Sequence, residues 1–159
     1  KVLATVFAVH KKLPQIKEET SSAELPPYRI LMADDNQDNS NLVQIFLKKT
    51  TFKLTSVING AEAVEKFITE EWDLVLMDME MPIMDGLTAT KKIRKYELEK
   101  NLKTTPIIAF TAHAMKEHID KCLSAGCTGH LSKPIKKKKL INTILEFTNP
   151  NKKPEENEQ

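Results

Sequence analysis

Apolar and polar positions alternate between two regimes along this chain. Short, nearly unbroken apolar stretches are separated by longer segments with apolar residues every third or fourth position. Leu74-Val75-Leu76-Met77 is the plainest of the short stretches, and it runs straight into Asp78. Such a run reads as a strand buried on both faces, the kind found in parallel sheets. Arg29-Ile30-Leu31-Met32-Ala33 leads likewise into Asp34-Asp35, Ile107-Ile108-Ala109-Phe110 into Thr111, and His130-Leu131-Ser132 into Lys133-Pro134. Lys53-Leu54-Thr55-Ser56-Val57-Ile58 is of mixed polarity and suits a sheet edge.

The segments between carry helical spacing. A first helix is expected from Asp38 or Asn39, either of which can cap it, to Lys49, with a stripe of Leu42, Val43, Ile45, Phe46 and Leu47. After the turn signal Asn59-Gly60, a second helix carries Ala61, Val64, Phe67 and Ile68 toward Glu71. Leu87, Thr90 and Ile93 mark a third helix reaching toward Leu98. Met115, Ile119, Cys122 and Leu123 line a fourth, stopped by Gly126 at the usual C-terminal cap. Leu140, Ile141, Ile144 and Leu145 line a fifth.

Strand and helix thus alternate five times with no hairpin. That demands an α/β fold with a parallel sheet, right-handed crossovers and helices on both faces. In open sheets of this kind ligands bind beyond the carboxyl ends of the strands. Asp34, Asp35, Asp78, Thr111 and Lys133 all fall at such ends. Taken singly each has a plainer reading: Asp78 or Thr111 as a helix cap, Lys133 as one more solvated lysine beside Lys136–Lys139. Together they place three carboxylates, a hydroxyl and an ammonium at one edge of the sheet.

Composition narrows the field without redirecting it. A length of 159 residues suits one domain plus a linker or tail, and 40% hydrophobic with 29% charged residues is ordinary for a globular protein. The net charge of +2 gives no global pull toward nucleic acid or membrane. The basic run Lys136-Lys137-Lys138-Lys139 lacks the stacking aromatics or paired helices of a nucleic-acid reader, and reads as a solvated helix start or an acidic-partner surface. No apolar stretch approaches the roughly 20 residues needed to span a bilayer, so no direct membrane insertion is expected. Cys122 and Cys127 lack companions at metal-ligand spacing and read as reduced thiols in a cytoplasmic setting.

The segments Asp34-Asp35-Asn36-Gln37-Asp38-Asn39, Leu76-Met77-Asp78-Met79-Glu80-Met81-Pro82-Ile83-Met84-Asp85-Gly86, Ala109-Phe110-Thr111-Ala112-His113-Ala114-Met115 and Leu131-Ser132-Lys133-Pro134-Ile135 resemble, in this order, the receiver domain of two-component response regulators. The resemblance implies a flavodoxin-like (βα)5 fold with strand order 2-1-3-4-5, which would bring Asp34, Asp35 and Asp78 into one crevice. Carboxylates so packed repel unless a cation lies between them, and hard oxygen ligands suit Mg²⁺. The resemblance implies Asp35, Asp78 and the Glu80 carbonyl as ligands, with Asp34 acting through water. It implies Asp78 as phosphoacceptor, with Lys133, the Thr111 hydroxyl and the Ala112 N–H binding phosphoryl oxygens. Thr111 would move on phosphorylation, and the space behind it is commonly filled by an aromatic residue three before the lysine. That position is His130 here, a departure that suggests a pH-dependent switch. Glu80 and His113 flank the acceptor and would border the attacking water.

The implied function is a phosphorelay receiver that accepts a phosphoryl group from a phosphohistidine donor domain and switches conformation. By this reading the domain is a phosphoacceptor rather than a turnover enzyme. His10 does not lie in a kinase phosphorylation box, and no output domain is visible, so the implied parent is a hybrid histidine kinase. Residues 1–27 are expected to form an N-terminal strand (Val2–Val9) and a proline-bounded linker, residues 28–148 the receiver, and residues 149–159 a disordered tail. Homodimerisation through the fourth-helix, fifth-strand and fifth-helix face is left open. Two rivals use the same residues: a haloacid-dehalogenase-like phosphatase, whose nucleophile lies on the first strand, and a pseudo-receiver that only binds partners.

Overall fold

The computed structural model describes residues 25–149. The elements are β1 Arg29–Ala33, α1 Gln37–Leu47, β2 Lys53–Val57, α2 Gly60–Thr69, β3 Leu74–Asp78, α3 Gly86–Glu99, β4 Ile107–Thr111, α4 Lys116–Ala125, β5 Gly129–Ser132 and α5 Lys137–Thr148. The strands form one sheet in the order β2-β1-β3-β4-β5, with every neighbouring pair parallel. This is the flavodoxin-like arrangement, with the mixed-polarity β2 at an edge. The expected strand Val2–Val9 and most of the expected tail lie outside the described residues.

Alternation along each strand sorts the core into two layers, because successive side chains point to opposite faces. Leu31, Ala33, Val75, Met77, Ile107 and Ala109 face α2, α3 and α4, where they meet Ala63, Phe67, Ala89, Ile93 and Cys122. Ile30, Met32, Leu74, Leu76, Ile108 and Phe110 face α1 and α5, where they meet Val43, Leu47, Leu140 and Ile144. All five residues of β3 and of β4 are buried. The two central strands are therefore fixed on both faces, and their ends are rigid points from which to hang a site.

Helix details differ from the sequence expectation in instructive ways. α1 starts at Gln37 because Asn36, not Asp38 or Asn39, is its N-cap, accepting from the Asp38 N–H at 2.9 Å. Its buried stripe is Ser40, Val43 and Leu47, whereas Ile45 is 66% exposed. Ile45 lies two residues from Val43, about 200° around the helix, and so faces away from the sheet. α2 ends at Thr69 rather than near Glu71, and Ile68 is left exposed. On α4 only Cys122 and Ala125 are buried, while Met115 and Leu123 are exposed. Gly126 ends α4 in the left-handed conformation, at φ 110°, as its position after the apolar stripe predicts.

Arg94 of α3 holds that end of α4. Its guanidinium donates to the Gly126 carbonyl at 2.9 Å, to Glu97 at 2.7 Å and to Thr128 Oγ1 at 3.3 Å. Glu97 is buried and in turn accepts the Thr105 N–H at 2.8 Å.

Cys122 and Cys127 are free and buried. Burial pushes the Cys127 thiol up to about 11 and raises that of Cys122 as well. Because the thiolate is the reactive form, neither residue should be modified by a thiol-directed disulfide reagent at about pH 8 within minutes. Both should react promptly in guanidinium; rapid labelling of the native protein would contradict the packing around α4.

Candidate active site

The carboxyl ends of β1, β3, β4 and β5 deliver five functional side chains to one notch, two of them from β1. Asp34 follows β1 directly and is almost wholly buried. Its Oδ1 accepts the Asn36 N–H at 2.8 Å and its Oδ2 accepts Asn39 Nδ2 at 2.9 Å, so the first turn of α1 is tied to the acid. Asp35, next in the chain, is exposed. Asp78 ends β3 and is 5% exposed. One carboxylate oxygen from each of Asp34, Asp35 and Asp78 can be chosen so that all three lie within 4.8 Å of one another.

Lys133 answers this charge. Its backbone N–H is fixed by the Thr111 carbonyl at 2.9 Å. Its Nζ reaches 3.2 Å from Asp78 Oδ2 and 3.5 Å from Asp34 Oδ2. The Lys133–Pro134 peptide is cis, the isomer open to an X-Pro pair. Burial pushes the Asp78 carboxyl above the ordinary carboxylate range. Lys133 opposes that shift, and the nearby Asp34 charge adds to it. Three carboxylates against one ammonium leave the notch short of positive charge. The donor set is oxygen-only, partly buried and open on the Asp35 side, which fits a hard divalent cation such as Mg²⁺.

Thr111 ends β4 and is buried. Its hydroxyl donates to the His113 carbonyl at 2.9 Å and accepts the His113 N–H at 3.0 Å, so here it braces the following loop. Ala112 and Glu80 are exposed at the rim, and the Glu80 N–H donates to Asp78 Oδ1 at 3.3 Å. His130 lies on β5 in register with Ala109 and is exposed.

The loop from Met79 to Asp85 shapes the third side. The Gly60 N–H donates to the Met84 carbonyl at 2.9 Å, the Gly86 N–H to the Met79 carbonyl at 3.1 Å, and the Asp85 side chain caps α3 by accepting the Thr88 N–H at 2.7 Å. A Cβ at Gly86 would sit 2.0 Å from the Asp78 carbonyl oxygen, closer than any atom pair tolerates. Gly86→Ala should therefore displace the end of β3. We expect a loss of about 2–4 kcal/mol in urea unfolding, at the upper end for a single substitution. A loss below about 0.5 kcal/mol would mean this contact is easily relieved.

Every residue expected at the notch except His130 lies in or beside it. Sequence reasoning missed both Asn36 and Asn39 as supports of Asp34: Asn39 read only as a helix-cap candidate, and Asn36 only as part of the acidic segment 34–39. The signal was their position two and five residues after Asp34, within reach of a carboxylate at a helix entrance. A cleft of about 1180 Å³ adjoins the acids, lined among others by Asp35, Asp78, Thr111, Lys133, His118 and Cys122. A second cleft, about 720 Å³, lies at the opposite edge of the sheet around Tyr28, Trp72 and Tyr96. The cluster of chemically matched groups lies at the first.

Known proteins share this arrangement. The response regulator receiver domain model matches residues 30–145. Hybrid signal transduction histidine kinase G of Dictyostelium discoideum is 45% identical over 133 residues, covering 82% of this chain and 4% of its own length. Sensor histidine kinase GacS of Pseudomonas protegens is 40% identical over 131 residues, covering 82% and 14%. The chain thus spans a small part of these relatives. Among solved structures, the receiver domain of Ssk1 in co-crystals with the Saccharomyces cerevisiae histidine phosphotransfer protein Ypd1 superposes with a TM-score of 0.75 at 28% identity, covering 77% of this chain and 90% of that one. The receiver domain of sensor histidine kinase PA1611 from Pseudomonas aeruginosa, with magnesium coordinated in its active-site cleft, gives 0.69 at 32%, covering 77% and 98%. With the sheet order, the notch and these matches agreeing, the chain belongs to the response regulator receiver family.

Proposed function

We propose that residues 28–148 form a phosphorelay receiver unit in which Asp78 accepts a phosphoryl group from a phosphohistidine on a donor domain. The observation that carries this reading is the placement of Lys133 Nζ against both Asp78 and Asp34. It leaves a buried carboxylate nucleophile beside a fixed cation at the open end of the cleft. A carboxylate oxygen of Asp78 attacks phosphorus, the N–P bond breaks, and its electron pair leaves on the imidazole. Such a transfer spreads charge over three phosphoryl oxygens, so the protein contributes mainly position and countercharge. Lys133 takes one oxygen as a point charge. The Thr111 hydroxyl, released from His113, and the Ala112 N–H take another.

Mg²⁺ would be held by Asp35, Asp78 and the Glu80 carbonyl, with Asp34 acting through water; when bound it supplies the remaining countercharge. Asn36 and Asn39 keep Asp34 oriented for that task. The reorientation of Thr111 is the switching event, and the exposed His130 lies on the adjacent strand with room to respond. The long relatives and the match to kinase-borne receivers support a hybrid histidine kinase as parent. Among the described residues, no helix is long and apolar enough to cross a membrane.

The direct test is incubation with acetyl phosphate and Mg²⁺, followed by intact-mass and peptide mapping. A gain of one alkali-labile phosphoryl group on the peptide containing Asp78 is expected. No gain, or a label elsewhere, would overturn the proposal.

A further inference from the structure

The loop after β4 and the first turn of α4 carry two imidazoles that the phosphoryl-transfer step itself does not use. The rings of His113 and His118 lie with centroids 5.1 Å apart and planes 27° apart. On the facing loop, Glu80 Oε1 lies 3.9 Å from His113 Nε2. The side chains of His113 and Glu80 are 55% and 80% exposed, and His118 is exposed too. All three border the same cleft as the acids, with Lys121 nearby. The His118 backbone is set by its N–H bond to the Met115 carbonyl at 3.0 Å.

We propose that His113, His118 and the Glu80 carboxylate form a second cation site, for a borderline transition ion of the zinc type, distinct from the oxygen-lined notch. Donor chemistry is the first argument. Imidazole nitrogen suits zinc, copper and nickel, whereas magnesium prefers oxygen. Spacing is the second. With Zn–N near 2.0–2.1 Å, two imidazoles on one tetrahedral ion have ring centroids about 5 Å apart. Neighbouring ligand atoms on such an ion are about 3.3–3.4 Å apart, so the His113–Glu80 separation closes with a small turn of an exposed carboxylate. The trio is not drawn together as the acidic trio is. Exposed side chains can converge by rotation alone, with water in the fourth position.

Such an ion would bridge the loop after Asp78 to the loop after Thr111. It would hold the segment that now accepts and donates to the Thr111 hydroxyl, and so slow phosphoryl uptake. This consequence, unlike the site itself, rests on the phosphoacceptor reading.

The test titrates the whole chain with Zn²⁺ in excess Mg²⁺, followed by calorimetry and by the histidine ring resonances. One equivalent binding in the micromolar range is expected, with His113 and His118 resonances shifting together. His113→Gln and His118→Gln should each weaken it at least tenfold, while Asp78→Asn should leave it. Unchanged affinity in both histidine variants, loss in Asp78→Asn, or no saturation by about 1 mM would each overturn the site. In the second arm, zinc should slow acetyl phosphate labelling at least threefold in the wild type. The His113→Gln/His118→Gln protein, normalised to its own zinc-free rate, should not slow. Equal slowing in both proteins would overturn the regulatory role. Absence of labelling without zinc would instead overturn the phosphoacceptor reading.

Discussion

Asp78→Asn is expected to abolish phosphoryl uptake and, unusually for a buried substitution, to raise thermal stability when Mg²⁺ is withheld. The amide keeps the shape of the carboxylate but is not a nucleophile, so the alkali-labile mass gain should vanish. The stability effect follows from the electrostatics. Asp78 is held above the ordinary carboxylate range, first by burial and then by the charge on Asp34. A carboxyl so raised binds its proton more tightly in the folded state than in the unfolded chain. Its contribution to stability is therefore full below the ordinary carboxylate range and is lost as pH rises through the raised value. At neutral pH the ionised Asp78 opposes folding, and the neutral amide should recover about 1 kcal/mol, a few degrees in Tm. Added Mg²⁺ should invert the order. An ion at ten times its Kd stabilises the wild type by about 1.4 kcal/mol, and the variant, having lost a ligand, gains less. Calorimetric scans with and without Mg²⁺ give both numbers. A lower Tm for the variant in the absence of Mg²⁺ would contradict this account of the notch.

Removing the ammonium instead should hurt in both respects. Lys133→Met keeps the aliphatic stem but leaves Asp34 and Asp78 facing each other, with side chains 0% and 7% exposed, without their shared cation. Breaking a fully buried pair costs about 3–5 kcal/mol. The Lys133 side chain is 24% exposed, so water screens part of this and a loss nearer 2 kcal/mol is expected. Phosphoryl uptake from acetyl phosphate should fall by about 10²-fold, the order seen when one charge-stabilising donor is lost. The double variant Lys133→Met/Asp78→Asn separates the two effects. Stability should return toward wild type because one of the repelling charges is gone, while uptake stays at zero. If urea unfolding shows the two substitutions to be additive, Lys133 and Asp78 are not coupled through the 3.2 Å contact and its role needs another explanation.

Two loops show where chemistry and packing meet. Thr111 is buried, yet its hydroxyl is turned toward His113, and α4 starts from Met115, which gives its first turn no side-chain cap. At its far end α4 is held by Arg94 through Gly126 and Thr128. A helix fixed at one end and lightly held at the other can respond to a change at Thr111.

Sequence patterning was enough for the alternation of strands and helices, the buried central strands and the presence of acids at strand ends. Those features are local: an unbroken apolar run of four or five residues has few homes except a strand covered on both faces. Strand order was legible only through family resemblance, since no local pattern says that β3 pairs with β1. Helix faces were read less well. Ile45, Ile68 and Met115 are apolar but exposed, because helical spacing reveals a stripe without saying which part of it meets the sheet. Tertiary structure alone decided that Lys133 reaches both Asp34 and Asp78, and that Glu80 shares one rim with His113 and His118. Each of these depends on distances between separate strand ends and loops. Sheet pairing and the entry angles of the helices set those distances, and spacing along the chain does not encode them.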